Sequence, residues 1–178
     1  MRDDLREILF SEEQIEKRIK ELGAEITRDY KGKQLMLIGV LKGCFVFLAD
    51  IARHIELDCE IRFLTASSYG FASVSSGKVN VDKNIEFDVD GKDVLIIEDI
   101  LDSGITLTAL HAIVAKNKPA SLKTCTLLDK PERRQVPFTT DYTGFVCPNE
   151  FVVGYGLDYG ERYRNLPYVA VLKPEIYS

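Results

Sequence analysis

Two stretches of this sequence hold side chains whose types and spacing could do chemistry. The first is Glu98-Asp99-Ile-Leu-Asp102-Ser103-Gly104-Ile105-Thr106, with three acids, two hydroxyls and a glycine in nine residues. Adjacent carboxylates repel unless a cation or a ligand's hydroxyl donors stand before them, which suits Mg²⁺ or a sugar. Asp102 and Ser103 are capping types, and Gly104 lets the backbone approach a ligand. A loop that opens a helix also offers unpaired N–H groups and a positive dipole end to a phosphate. One acid pair and one glycine would make an ordinary strand-to-helix turn. Four polar groups converging on a single turn favour a phosphate-and-metal site. The second stretch, Phe151 to Arg164, carries an aromatic ring, bends at Gly154 and Gly156, the acid Asp158 and a terminal arginine. On its residues alone it reads as a short strand and an acidic turn, with Phe151 in a core.

Two familiar phosphate loops are excluded. No G-x-x-x-x-G-K-[ST] occurs in the chain. Gly154, Gly156 and Gly160 have the wrong spacing for a dinucleotide fingerprint, and no amphipathic helix follows them.

The elements that must position these residues alternate between strand and helix. Ser11-Glu-Glu-Gln14 is a capping box, followed by Ile15, Ile19, Leu22 and Ile26 on one helical face. Leu35–Leu41 and Val94–Ile97 are apolar runs of the kind buried on both faces of a parallel sheet. Each leads into a second amphipathic stretch, at 45–55 and 105–114. Ile61–Ala66 and Leu122–Leu128 are further strands, and Tyr168–Leu172 closes the chain. Val79–Val81 and Ile85–Val89 alternate apolar and polar residues, which predicts an antiparallel pair. Lys42-Gly43 and Lys130 fall just past strand ends, where open α/β sheets bind ligands. Taken alone, both lysines read as solvated loop residues.

The 178 residues fit one domain, with 46% apolar and 29% charged residues and a net charge of −5. That charge argues against nucleic acid or an anionic membrane as the partner. Cys44, Cys59, Cys125 and Cys147 form no C-x-x-C and read as buried free thiols of a reducing compartment. The first residues lack the apolar core of a signal peptide, and no apolar run is long enough to span a membrane. The expected location is the cytoplasm.

Glu98-Asp99-Ile-Leu-Asp102-Ser-Gly-Ile-Thr106 resembles the phosphoribosyl-pyrophosphate (PRPP) loop of type I phosphoribosyltransferases. Nearly the whole chain resembles the hypoxanthine (guanine) phosphoribosyltransferases of that family. The resemblance implies an open, mostly parallel α/β sheet flanked by helices, with a core over about 35–130. A small antiparallel flap would lie over about 67–90, and a hood would form from 1–12 and 131–178. It implies purine salvage: Mg²⁺-dependent transfer of phosphoribosyl from PRPP to a 6-oxo purine, by a homodimer or homotetramer.

Residue by residue, the resemblance gives Leu41-Lys42-Gly43, often with a cis peptide, to pyrophosphate, together with Arg164. This reverses the bland reading of Lys42. Glu98 and Asp99 would meet the ribose hydroxyls and Mg²⁺, and Asp102, Ser103, Gly104, Ile105 and Thr106 would cradle the 5′-phosphate. Some relatives carry lysine where this chain has Ile105. Asp102 matches the general base at purine N7. Lys130 would recognise the purine's C6 oxygen; lysine is only a donor, so it favours hypoxanthine or guanine over adenine. Phe151 would stack on the base, the main chain of Val152 would pair with its edge, and Asp158 would hold a second Mg²⁺ through water. Ser68 and Tyr69 would lie on a loop that closes over the reacting centre. Two other classes compete: a PRPP-binding regulator of nucleic acid on the same fold, and a signalling receiver phosphorylated at Asp99.

Overall fold

The computed structural model describes residues 2–68, 79–81 and 85–177, without the side chains of 67–68 and 79–81. Its main body is a six-stranded sheet in the order β4-β3-β2-β5-β6-β7. The strands are β2 (Leu35–Leu41), β3 (Cys59–Ser68), β4 (Val79–Val81), β5 (Asp93–Leu101), β6 (Ser121–Asp129) and β7 (Tyr142–Val146). All neighbouring pairs run parallel except β3 with β4. The fold is therefore the open, mostly parallel α/β sheet that the resemblance implies.

The apolar runs divide between two faces, as a strand period of two requires. Leu35, Leu37, Leu95 and Ile97 pack with Ile15, Ile19, Leu22, Phe47 and Ile51 from α1 (Glu12–Asp29) and α2 (Phe45–His54). Met36, Ile38, Val40, Val94 and Ile96 pack on the other face with Leu107, Leu110 and Val114 of α3 (Ile105–Ala115). Fully burying each such side chain contributes roughly 1.5–3 kcal/mol. The expected capping box at the start of α1 is present: Gln14 N–H donates to Ser11 Oγ at 3.3 Å, and Ser11 N–H donates to Gln14 Oε1 at 2.8 Å.

A second sheet, of order β1-β9-β8, joins β1 (Leu5–Phe10) to β9 (Val169–Leu172) and β8 (Val152–Val153), all antiparallel. One helical turn, α4 (Pro174–Tyr177), follows it. Among the described residues no helix is long and apolar enough to cross a membrane.

The antiparallel pair expected between 79–81 and 85–89 does not form. Val79–Val81 pairs instead with Ala66–Ser68 at the end of β3. Residues 85–89 are irregular, with a bend at 86–87, and Asp90 N–H bonds to the Asp88 carboxylate at the turn that follows. Their alternation is satisfied by packing: Val89 is fully buried, and Ile85 and Phe87 lie against the α3-side core. The parallel sheet also takes in β7, beyond the strands that periodicity picked out.

Candidate active site

The sheet order places α2 to one side of the centre, between β2 and β3, and α3 to the other, between β5 and β6. The strand order thus reverses between β2 and β5, and ligands of open α/β sheets bind at such a switch point. The β2–β5 pairing ends at Gly39 and Ile97. Beyond it, β2 stays paired only to β3 and β5 only to β6. The cleft that opens there receives Lys42 and Gly43 from one strand, and Glu98 and Asp99 from the other.

These two loops touch. A Cβ built on Gly43 would lie 1.8 Å from Asp99 Oδ2, so only glycine fits beneath that carboxylate. The Leu41–Lys42 peptide is cis. Glu98 and Asp99 are both buried, at 7% and 8% exposure. Burial, then the adjacent Asp99 carboxylate, pushes the Glu98 carboxyl well above its ordinary range. Burial also raises Asp99, against the lowering effect of hydrogen bonds from Glu98 and from Ile100 N–H at 2.9 Å. Among the described residues neither acid has an ion-pair partner, and no group of three or more metal-ligating side chains exists.

The loop after β5 departs from the expected capping. The residue before α3 is Gly104, left-handed at φ 83°, with no side-chain cap. Val136, Phe138 and Arg134 would lie 3.0–3.3 Å from a Cβ there, so the turn needs glycine for its dihedral and its packing alike. Among the described residues Ser103 Oγ accepts only the Ile105 N–H, at 3.3 Å, and its carbonyl accepts Gln135 N–H at 2.9 Å. Ile105 and Thr106 form the half-buried first turn of the helix. Asp102 pairs with Arg133 at 3.3 Å, and Arg134 holds the Leu101 carbonyl at 3.2 Å and the Asp102 carbonyl besides. Neither arginine stood out in the sequence, where both belong to a charged run after a strand.

Lys130 follows directly, since Leu101 pairs with Asp129 and Lys130 N–H donates to the Leu101 carbonyl at 2.9 Å. Its side chain is buried, and Nζ donates to the Glu150 carbonyl at 2.8 Å. An ammonium has two further donors for a ligand. That bond brings Lys130 beside half-buried Phe151. Leu172 N–H takes the Phe151 carbonyl at 2.8 Å. Strand alternation then turns the N–H and C=O of Val152 the other way, to the open side of β8, which is an edge strand.

The remaining predicted residues meet in the loop after β8. A Cβ on Gly156, at φ 100°, would lie 2.1 Å from the Gly43 carbonyl, so this loop rests on the first. Arg164 donates to the Gly156 carbonyl at 2.8 Å and pairs with Asp158 at 2.9 Å and Glu161 at 3.3 Å. Glu161 also pairs with Lys42 at 3.0 Å, so one carboxylate bridges the two cations expected to hold pyrophosphate. Glu161 did not stand out in the sequence, where it is one acid in a charged tail. Asp158 has its other oxygen on the Glu161 N–H at 2.9 Å. Among the described residues no hydrogen bond or ion pair joins Asp158 to Glu98 or Asp99. Ser68 ends β3, with its side chain outside the described residues, and Tyr69 lies outside them altogether.

A phosphoribosyl transferase domain matches residues 6–160. The chain belongs to the phosphoribosyltransferase family. Its full length is 51% identical to the hypoxanthine-guanine phosphoribosyltransferase of Bacillus subtilis, over 99% of that protein. It is 52% identical to the bifunctional protein TilS/HprT of Listeria innocua, but spans only 28% of that relative's length. The crystal structure of a Staphylococcus aureus hypoxanthine phosphoribosyltransferase superposes with a TM-score of 0.94 at 48% identity, covering all of this chain and 97% of that one. This phosphoribosyltransferase chain thus shares its fold with the Staphylococcus aureus structure, and its cleft lies at the switch point of that fold.

Proposed function

We propose that this chain transfers the 5-phosphoribosyl group from PRPP to N9 of hypoxanthine or guanine, giving IMP or GMP and pyrophosphate in purine salvage. One observation carries the reading. In a chain of this family, a single rim sets two buried acids, without an ion-pair partner among the described residues, alongside a helix-opening hydroxyl loop and a buried lysine beside an aromatic ring.

Displacing pyrophosphate from ribose C1 leaves a sugar that is cation-like in the transition state, as in glycoside chemistry. Glu98 and Asp99 face that sugar as hydroxyl acceptors. Ser103, Thr106 and the first N–H groups of α3 hold the 5′-phosphate. Lys42 and Arg164 take the leaving pyrophosphate. Phe151 stacks on the base, the main chain of Val152 meets its edge, and Lys130 donates to the oxygen at C6. Asp102 takes up the N7 proton as the base is ribosylated, a role worth about 10²–10⁴-fold in rate.

The acids fit Mg²⁺ of a particular kind. No all-protein cage exists among the described residues, yet Mg²⁺ is usually held by one or two carboxylates plus substrate phosphates. Glu98 and Asp99, adjacent and without an ion-pair partner among the described residues, suit that role through the ribose hydroxyls; Asp158 would take a second ion through water. When bound, the metal offsets charge on the departing pyrophosphate.

The chain works in the cytoplasm on small molecules, without nucleic acid or membrane, a reading supported by its four free cysteines and its net charge of −5. It acts as one unit with a sheet core and a hood, assembled as a homodimer or homotetramer. Exposed Phe45, Ile61 and Phe63 beside α2 support that assembly, which sedimentation would test.

The deciding assay is PRPP- and Mg²⁺-dependent nucleotide formation with hypoxanthine, guanine, xanthine and adenine in parallel. Turnover of 6-oxo purines and not of adenine is expected. Equal activity with adenine would remove the role of Lys130 and leave the phosphate loop intact.

A further inference from the structure

Phe151 has two ring faces, and a base can stack on only one. The other is already covered. The ring of Tyr177 lies nearly parallel to it, with centroids 4.6 Å apart and planes 20° from alignment. Tyr159 meets the same ring at 89°, with centroids 5.6 Å apart. Tyr177 belongs to α4, and that turn is tied down from several sides. Lys173 donates its N–H to the Asp4 carbonyl at 2.9 Å and its Nζ to the Asp3 carbonyl at 2.6 Å. Ile176 N–H closes the turn on the Lys173 carbonyl at 3.0 Å. Ile176, Tyr177 and Phe151 then pack together against the buried Val153, Tyr163, Leu166 and Leu172. Tyr177 therefore reaches Phe151 from the core of the smaller sheet, and on the proposed reading of Phe151 the base takes the opposite face.

We propose that Tyr177 is a positioning residue for the purine: it backs the Phe151 ring, so that an incoming base completes a three-ring stack. The proposal rests on the reading of Phe151 as the stacking residue. Phe151 is half-buried and precedes a two-residue edge strand, and among the described residues the ring of Tyr177 is the one stacked on it nearly parallel. A base that had to order that ring on arrival would bind less tightly, since immobilising a free side chain opposes association. A flat partner behind the ring sets its plane in advance, and parallel offset rings attract beyond their buried area. The stack uses the ring of Tyr177, not its hydroxyl.

The test is steady-state kinetics with hypoxanthine and PRPP varied in turn, for the unaltered chain, Tyr177→Ala, Tyr177→Leu, Tyr177→Phe and Phe151→Ala. Tyr177→Ala is expected to raise KM for hypoxanthine roughly three- to tenfold, leaving kcat and KM for PRPP in place. Tyr177→Phe should restore the original KM. Tyr177→Leu fills the volume without a ring and should behave like the alanine variant; it decides the matter if the alanine variant does not fold. Original KM values in the leucine variant would overturn the stacking role. So would a parallel rise in both KM values with a lower Tm, which marks general loosening. Phe151→Ala separates the two layers of the argument. If it raises the purine KM while Tyr177→Ala does not, the proposal alone falls; if it leaves the purine KM unchanged, the assignment of Phe151 falls first.

Discussion

Two sets of acids border the same cleft and are held in opposite ways. Glu98 and Asp99, on the sheet rim, are buried and lack an ion-pair partner among the described residues. Asp158 and Glu161, in the loop after β8, are paired with Arg164 and Lys42. The first pair stands on a strand whose main chain is fixed by its neighbour β6. The second stands on turns that include left-handed Glu161 at φ 61° and Tyr163 at φ 76°. The rim thus carries two acids with no ion-pair partner among the described residues, while the acids of the hood are paired without a ligand. A substrate that brings both hydroxyls and phosphates would finish the rim and would have to reopen the pairs of the hood.

The largest expected effect lies beside the rim. Asp102→Asn should reduce kcat with hypoxanthine by about 10²–10⁴-fold, measured as nucleotide formed at saturating PRPP. Its side chain is 41% exposed and pairs with Arg133 at the surface, so thermal unfolding should hardly change. A loss below tenfold would move proton handling elsewhere. Gly43→Ala comes next. Its Cβ would sit 1.8 Å from Asp99 Oδ2, so the carboxylate or the Lys42 loop must shift by more than an ångström. Misplacement on that scale costs up to about 10²-fold in kcat/KM. An active alanine variant would mean that Asp99 has room to move, and that the rim is less fixed than the hood.

Much of the rim was legible in the sequence, and much of the hood was not. Leu35–Leu41, Val94–Ile97 and Leu122–Leu128 announce themselves because strands buried on both faces must be apolar throughout. Their ends put Lys42, Gly43, Glu98, Asp99 and Lys130 on the edge where such sheets bind ligands, though both lysines taken alone read as solvated loop residues. The hood offers no such period. β1 pairs with β9 through two register shifts, and β8 is two residues long. Glu161 and Tyr177 matter through contacts with residues 119 and 26 positions away, and local pattern does not encode such partners. The cap of α3 shows a subtler limit. Asp102 and Ser103 have capping chemistry, but the turn is made by backbone conformation at Gly104, and Asp102 is drawn instead to Arg133.

The buried pair gives a test of stability. Burial raises the Glu98 carboxyl above its ordinary 4.5, so the folded state holds a proton that the unfolded state has lost. That stabilisation is full below about pH 4.5 and is lost as pH rises through the raised value. In chelator-treated protein, Glu98→Gln should therefore melt higher than the unaltered chain at pH 8 and alike near pH 4. For a chain of this length each kcal/mol is worth about 2–4 °C. A lower Tm at pH 8 would show that the rim holds its charge without cost, and the contrast with the hood would vanish.

The smallest expected effect is on the hood. Glu161 is ionised throughout the working range, since the hydrogen bond from Lys42 holds its carboxyl below the ordinary value. It occupies Lys42 at 3.0 Å and Arg164 at 3.3 Å, the two cations proposed to receive pyrophosphate. Pyrophosphate must displace that carboxylate to bind them. Lys42 and Glu161 are 67% and 64% exposed, and exposed pairs contribute little. Glu161→Gln should then tighten pyrophosphate product inhibition only about two- to fivefold. The gain should shrink as salt screens the pair it removes. Weaker inhibition in the variant would reverse the sense of the contrast: Glu161 would be aiming the two cations at the ligand, and the hood, like the rim, would be built to be finished by substrate.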